Sequence, residues 1–249
     1  MTVTTLALLF VAGIWAGTQN ALAGGGSFIT IPALMLAGLD ARPANITSSV
    51  ALYPGQVATG FAGRRLIEDA PMLSFRWMCV IGATGGLLGA LLLLWTSSGT
   101  FKSMLPWLVL FATVLFAWSA FGRGGAAQKR TPVPAAVAIF LQSGIAIYGG
   151  YFGGGLGFMT MASLGLMGLK ARPASATKNA LAAVINTTSL LVFLFSPALV
   201  WVPALLLAVG AITGGLFGAW LVQRIAEKAL RVLIVVIGIC LTIGLFVTK

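Results

Sequence analysis

Apolar residues run along this chain in long blocks, and the polar ones fall mostly in short gaps between them. The blocks and the turn signals separating them predict ten helices, at 3–22, 27–38, 44–62, 72–96, 103–121, 134–151, 156–168, 174–195, 198–222 and 228–247. Eight approach the ~20 residues that cross a bilayer, and two, 27–38 and 156–168, fall short. Both short ones follow a run of three glycines, Gly24–Gly26 and Gly153–Gly155, in segments that are otherwise apolar. Glycine is a poor helix former, so each run predicts a broken helix.

The pattern occurs twice. "LDARPA" (Leu39–Ala44) matches "LKARPA" (Leu169–Ala174) at an offset of 130, and "TGGLLGA" (Thr84–Ala90) matches "TGGLFGA" (Thr213–Ala219) at 129. The triple glycines also differ by 129. Three landmarks in one order at nearly one spacing predict two homologous halves. The halves, 1–125 and 126–249, are joined near "GRGGAAQKRTP" (Gly122–Pro132).

Charge then decides how the halves are oriented. If the short segments re-enter without crossing, the basic residues divide evenly between the two sides. If all ten segments cross, one side holds Arg64, Arg65, Arg76, Arg123, Lys129, Arg130, Lys170, Arg172, Lys178, Arg224, Lys228 and Arg231, and the other only Arg42, Lys102 and Lys249. The second arrangement obeys the positive-inside rule. Five crossings per half make the repeats inverted and put both termini outside the cytoplasm. The expected fold class is an all-α integral membrane protein of about ten transmembrane segments, two of them short, in two inverted five-segment repeats.

Composition agrees with this class. The 249 residues are 59% hydrophobic and 8% charged, where soluble domains carry about 25% charged residues. Mean hydropathy is +1.04. The net charge of +11 reflects basic loops and, without exposed aromatics interleaved among the basic residues, argues against a nucleic-acid partner. Cys79 and Cys240 read as small buried hydrophobes, and with no histidine and no metal-ligand spacing, no cofactor or metal is expected. The N-terminal segment lacks a positive n-region and a cleavage signal, and reads as a retained helix.

From Gly24 to Asp40 a helix rises only about 24 Å against a core of about 30 Å, so the glycine turn falls at membrane depth. Irregular backbone survives there only when buried in protein or lining a water-filled cavity. Gly24, Gly25, Gly26, Gly153, Gly154 and Gly155 are therefore candidates to line a ligand, at the positive N-terminal end of the helix that follows. A tight, close-packed turn is the competing reading. The segments after each "ARPA" carry the densest polar groups, Ser48, Ser49 and Gln56 in the first, and Lys178, Asn179 and Asn186 in the second. Ser49 and Gln56 share a helix face, as do Asn179 and Asn186, and the pairs correspond at an offset of 130. They either line a shared cavity or serve as interhelical packing bonds. Lys178 either snorkels to the interface or offers a point charge to an anion. Arg42 and Arg172, before prolines, read as loop residues, either interface anchors or charges at the mouth, rather than site residues. Gly85/Gly89 and Gly214/Gly218 are spaced for close helix packing.

The carboxylates are Asp40, Glu68, Asp69 and Glu227, all at predicted loops or helix ends. No acidic residue is placed for a proton relay or a cation site, and no nucleophile–base pair is evident, so an enzyme is not expected. What remains is recognition of a small anionic solute.

The segments "AGGGSFITIPALMLAGLDARPANITSSV", "GGGLGFMTMASLGLMGLKARPASATKNAL" and "TGGLFGAWLVQRIAEKALRVLIVVIGICLTIGLF" together resemble the TauE/SafE sulfite exporter family, over essentially the whole chain. The first copy keeps a proline, Pro32, where the second has Met161. The resemblance implies a bacterial or archaeal inner-membrane permease with two repeats, associated with sulfite, organosulfonates and related sulfur anions. It also implies a pathway along the two glycine turns and the polar residues after each "ARPA". The expected function is a secondary carrier or facilitator for such an anion by alternating access, with an anion channel or a non-transporting assembly or scaffold protein as alternatives. The expected partners are that solute and the lipid bilayer, with a homodimer left open.

Overall fold

A computed structural model describes residues 2–22, 25–121, 132–221 and 227–247. The chain is an all-α membrane protein, 83% helical and without strands among the described residues. Among the described residues ten α-helices form, α1 (Val3–Leu22), α2 (Ser27–Leu36), α3 (Ala41–Ala62), α4 (Phe75–Trp95), α5 (Ser98–Phe121), α6 (Ala135–Tyr151), α7 (Leu156–Leu166), α8 (Ala171–Phe193), α9 (Trp201–Leu221) and α10 (Glu227–Val247). Four of them contain long apolar spans, Val3–Asn20, Phe75–Trp95, Ser98–Trp118 and Trp201–Gly218. Gly24, the expected junction near residue 125, Arg123, Lys129, Arg130, Arg224 and Lys249 lie outside the described residues.

Helices α2 and α7 are shorter than expected, because a glycine stops each in the same way. Gly38 and Gly168 adopt φ of 96° and 93°. The Leu39 N–H closes on Leu34 O at 3.0 Å, and the Leu169 N–H closes on Leu164 O at 3.1 Å. A left-handed glycine with a six-to-one bond is the Schellman ending, which a residue with a Cβ resists. With 10 and 11 residues, each helix rises only about 15 Å, half of the hydrocarbon core.

"ARPA" is helical rather than looped, and this corrects the expectation for Arg42 and Arg172. Helices α3 and α8 begin at Ala41 and Ala171, so each proline lies in a first turn, where its missing N–H has no intrahelical role. Arg42 then turns to the end of α4, donating from Nη1 to Leu94 O at 3.0 Å and Thr96 O at 2.9 Å. The cysteines also depart from expectation. Cys79 is half-buried and Cys240 is exposed on α10.

Partnerships between helices follow a pairwise rule. The most extensive contacts are of α1 with α9 and of α4 with α6. Both depend on glycine. A Cβ built on Gly85 would lie 2.5 Å from the Ala146 Cβ, and one on Gly214 would collide with Ile14 O. Further contacts join α4 to α8, α3 to α9, α2 to α3, α7 to α8 and α5 to α10. Exchanging α1–α5 for α6–α10 turns these pairings largely into one another.

Direction is also informative. Along the contact of α3 with α8, Tyr53 meets Thr187, Gln56 meets Asn186, and Gly60 meets Asn179 and Ala183. Rising numbers in one helix meet falling numbers in the other, so the two run antiparallel. The same holds for α5 and α10, where Trp107 stacks on Phe246 and Gly238 abuts Thr113. The main core lies around Phe28, Leu34, Ile46, Phe101, Phe152 and Phe193, between these helices.

Candidate functional site

The first glycine turn is tied down by the last polar residues of α1. The Gly26 N–H donates to Asn20 Oδ1 at 2.8 Å, and Gln19 Nε2 donates to Gly25 O at 3.4 Å. Gly25 has φ of 87°, open to glycine but strained for other residues. One turn into α2, Thr30 donates to Gly26 O at 3.3 Å and shares a short hydrogen bond with Ser48 of α3. Thr30 and Ser48 are wholly buried, and their mutual bond offsets the cost of taking two hydroxyls out of water. Gln19 Oε1 is left buried without a partner.

The second turn is held from the other side of the molecule. Asn45 of α3 donates from Nδ2 to Tyr151 O, at the end of α6, at 3.0 Å. Ser49, one turn on, donates to Asn45 O at 2.9 Å, and its Oγ lies 3.9 Å from where a Cβ on Gly153 would stand. Gly153 and Gly155 have φ of 75° and 81°. A Cβ on Gly155 would come within 2.7 Å of the Ala112 Cβ, and one on Gly154 within 3.0 Å of the Phe28 ring. The two turns are thus linked through aromatic rings. Phe28, just after the first turn, lies 6.4 Å from Phe152, just before the second. Phe158, just after the second, packs on Gly25 and on Phe116.

Lys178 of α8 reaches the start of α7. Its Nζ lies 3.9 Å, and its Cδ 3.7 Å, from a Cβ built on Gly157, so the missing side chain of Gly157 makes room for the ammonium stem. Among the described residues Lys178 has no hydrogen bond or ion pair. Both the ammonium and the N-terminal end of α7 carry positive charge. Farther along, α3 and α8 are bonded directly. Asn186 Nδ2 donates to Gln56 Oε1, and the Tyr53 and Thr187 hydroxyls lie 2.9 Å apart. Among the described residues no cluster of His, Cys, Asp and Glu could hold a metal ion.

Residues 9–245 match the sequence profile of the family described as "Sulfite exporter TauE/SafE". The chain belongs to the TauE/SafE sulfite exporter family. Among curated proteins, it is 32% identical over 251 residues to "Probable membrane transporter protein ORF9" of a Sinorhizobium species, covering 96% of this chain and 92% of that protein. It is 28% identical to "Probable membrane transporter protein" of Haemophilus influenzae, over 95% of this chain and 92% of that one. It is also 28% identical to "Probable membrane transporter protein YfcA" of Escherichia coli K12, over 94% and 86%. No solved structure matches the chain significantly. The protein is an integral membrane transporter.

Within this TauE/SafE chain, the fold joins residues singled out from sequence to one another in two places and to other residues in two more. Ser49 approaches Gly153, Ser48 joins Thr30, Lys178 approaches the first turn of α7, and Gln56 bonds Asn186. Asn179 meets Gly60 through its backbone carbonyl, 3.2 Å from a Cβ built on that glycine. Gln56 and Asn186 face each other directly rather than across a gap. A 460 Å³ cavity lies elsewhere, among α5, α6 and α7, with a mostly apolar wall that includes Phe111, Trp118, Phe140 and Phe158. Gln19, Asn20 and Asn45 hold the turns and were not among the sequence candidates. Their signal is in the sequence: two adjacent amides one turn ahead of the first glycine run, and an amide as the first polar group after "ARPA".

Proposed function

We propose that this transporter is a secondary carrier for a small anion, a sulfur oxyanion or organosulfonate such as sulfite. The observation that carries the reading is Lys178, an ammonium set beside the first turn of α7 without an acidic partner among the described residues. Such a charge inside an apolar bundle is costly unless something negative joins it. The family description supports the sulfur chemistry.

Alternating access is the proposed mechanism, between two inverted repeats, 1–125 and 126–249. The antiparallel run of α3 against α8, and of α5 against α10, supports the inversion. The direct bond of Gln56 to Asn186 suits an occluded conformation, with Ser49, Asn179 and the glycine turns along the route. The location that goes with this is the cytoplasmic membrane of a bacterium or archaeon, with both termini outside. Purified protein in liposomes should take up labelled sulfite saturably, and preloaded unlabelled sulfite should accelerate that uptake by counterflow. Unsaturable flux without counterflow would assign a channel, and absence of any sulfite or sulfonate movement would end the anion reading.

A further inference from the structure

The second glycine turn differs from the first in what satisfies it. At the first, the Gly26 N–H already donates to Asn20 Oδ1, and Ser48 is bonded to Thr30. At the second, Gly149 and Gly150 stand where the repeat has Asn20, and Lys178 stands where it has Ser48. No side chain accepts a hydrogen bond from the backbone of residues 153–157 among the described residues. The first turn is closed by the protein's own groups. At the second, the Leu156 N–H turns back on Gly153 O at 3.4 Å, and no side chain caps the turn.

An independent observation lies on α6. Gln142 is fully buried, and neither its Oε1 nor its Nε2 has a partner. The repeat has Ala12 or Gly13 at that place. One turn before it, Ala138 belongs to a cluster with Leu164, Ala174 and Leu181; one turn after it, Ala146 packs with Leu156 and Ile185. Gln142 therefore sits between these layers, on the face of α6 that packs on α4 through Met78 and Gly85 and meets α7 and α8 at its margin. Lys178 lies at that margin, one turn from both Ala174 and Leu181 on α8, with its amine beside Gly157 on α7. An amide buried with no partner is rare and costly.

We infer that the carried anion is held off the axis, in the C-terminal repeat, by Lys178, Gln142 and the first turn of α7, while Asn20 and Ser48 act as built-in substitutes in the N-terminal repeat. This rests on the carrier reading above. The ligand class is a small oxyanion with at least two acceptor oxygens, one for the ammonium and one for the amide N–H. The positive end of α7 adds to the attraction. Transport of one charge through a pseudosymmetric protein then needs only one charged half-site.

The test is sodium sulfite binding to the full chain in lipid nanodiscs, by calorimetry and thermal shift. Gln142→Leu should raise the sulfite Kd about tenfold or more, because a hydrogen bond to a charged group is lost. The same change should leave the unliganded protein as stable or more so, since it replaces an unpartnered polar group with an apolar one. Gln142→Glu should abolish binding by setting a carboxylate against Lys178, and it decides the matter if the leucine variant does not fold. Sulfite affinity within twofold of wild type in these variants overturns the inference and leaves the carrier reading standing. A wild-type protein that binds neither sulfite, sulfate, thiosulfate nor sulfoacetate overturns both.

Discussion

Asn186 Nδ2 donates to Gln56 Oε1, and the two residues stand at equivalent places 130 positions apart. Equivalent residues of two repeats can bond to each other only where the axis relating them passes. The crossing of α3 and α8 is therefore where the proposed two-fold axis runs, and alternating access as proposed would have to alter it.

Locking this crossing gives the first prediction. With Cys79 and Cys240 replaced, Gln56→Cys with Asn186→Cys should form a disulfide on oxidation. Sulfite flux in liposomes should then stop, and reductant should restore it. Equal flux in the oxidised and reduced states would show that α3 and α8 do not part during transport.

Gly155 should tolerate no side chain. Its φ of 81° disfavours any L residue, by about 1–2 kcal/mol. The added methyl would also press on Ala112, for which overpacking costs about 1–3 kcal/mol more. Gly155→Ala is expected to lower the melting temperature and to remove transport. Gly165, inside α7, has open space at its Cβ position, so Gly165→Ala should be neutral or stabilising by roughly 0.5–1 kcal/mol. Melting curves of the two variants in one detergent make the comparison.

Arg42 closes the carbonyl end of α4 through Leu94 and Thr96. Arg42→Leu removes a charged donor from two backbone acceptors and should cost about 1.5–3 kcal/mol in denaturant unfolding. Arg42→Lys should recover part of this, since both bonds leave one nitrogen and an ammonium also carries donors for two acceptors. An Arg42→Leu protein as stable as wild type would return Arg42 to the role of an interface anchor.

Much of the fold was legible because a membrane simplifies the code. With water excluded, apolar blocks become helices, and ten of them could be counted from Leu-, Val- and Ala-rich runs. The helix ends were less legible. Gly38 and Gly168 looked like the tails of α2 and α7, yet their left-handed φ makes them the stops, and "ARPA" moved from loop to first turn as a result. The site was half legible. Polar residues within apolar segments pointed to Ser48, Lys178 and Asn186. What each one bonds depends on which helix lies opposite, and helical periodicity carries no such information. Asn45 is the example: its partner, Tyr151 O, belongs to the other repeat and is a backbone atom, so no side-chain pattern marks it.

The glycine-tight pairs of α1 with α9 and of α4 with α6 each take one helix from either sequence repeat. The repeats are thus interleaved rather than set side by side. A chain cut between Phe121 and Pro132 would yield two fragments, each lacking the partner for two of its own helices. Co-expressed, they would assemble into one particle; expressed singly, each would present glycine grooves to the lipid. The division read from the sequence does not mark the packing units, which cut across it.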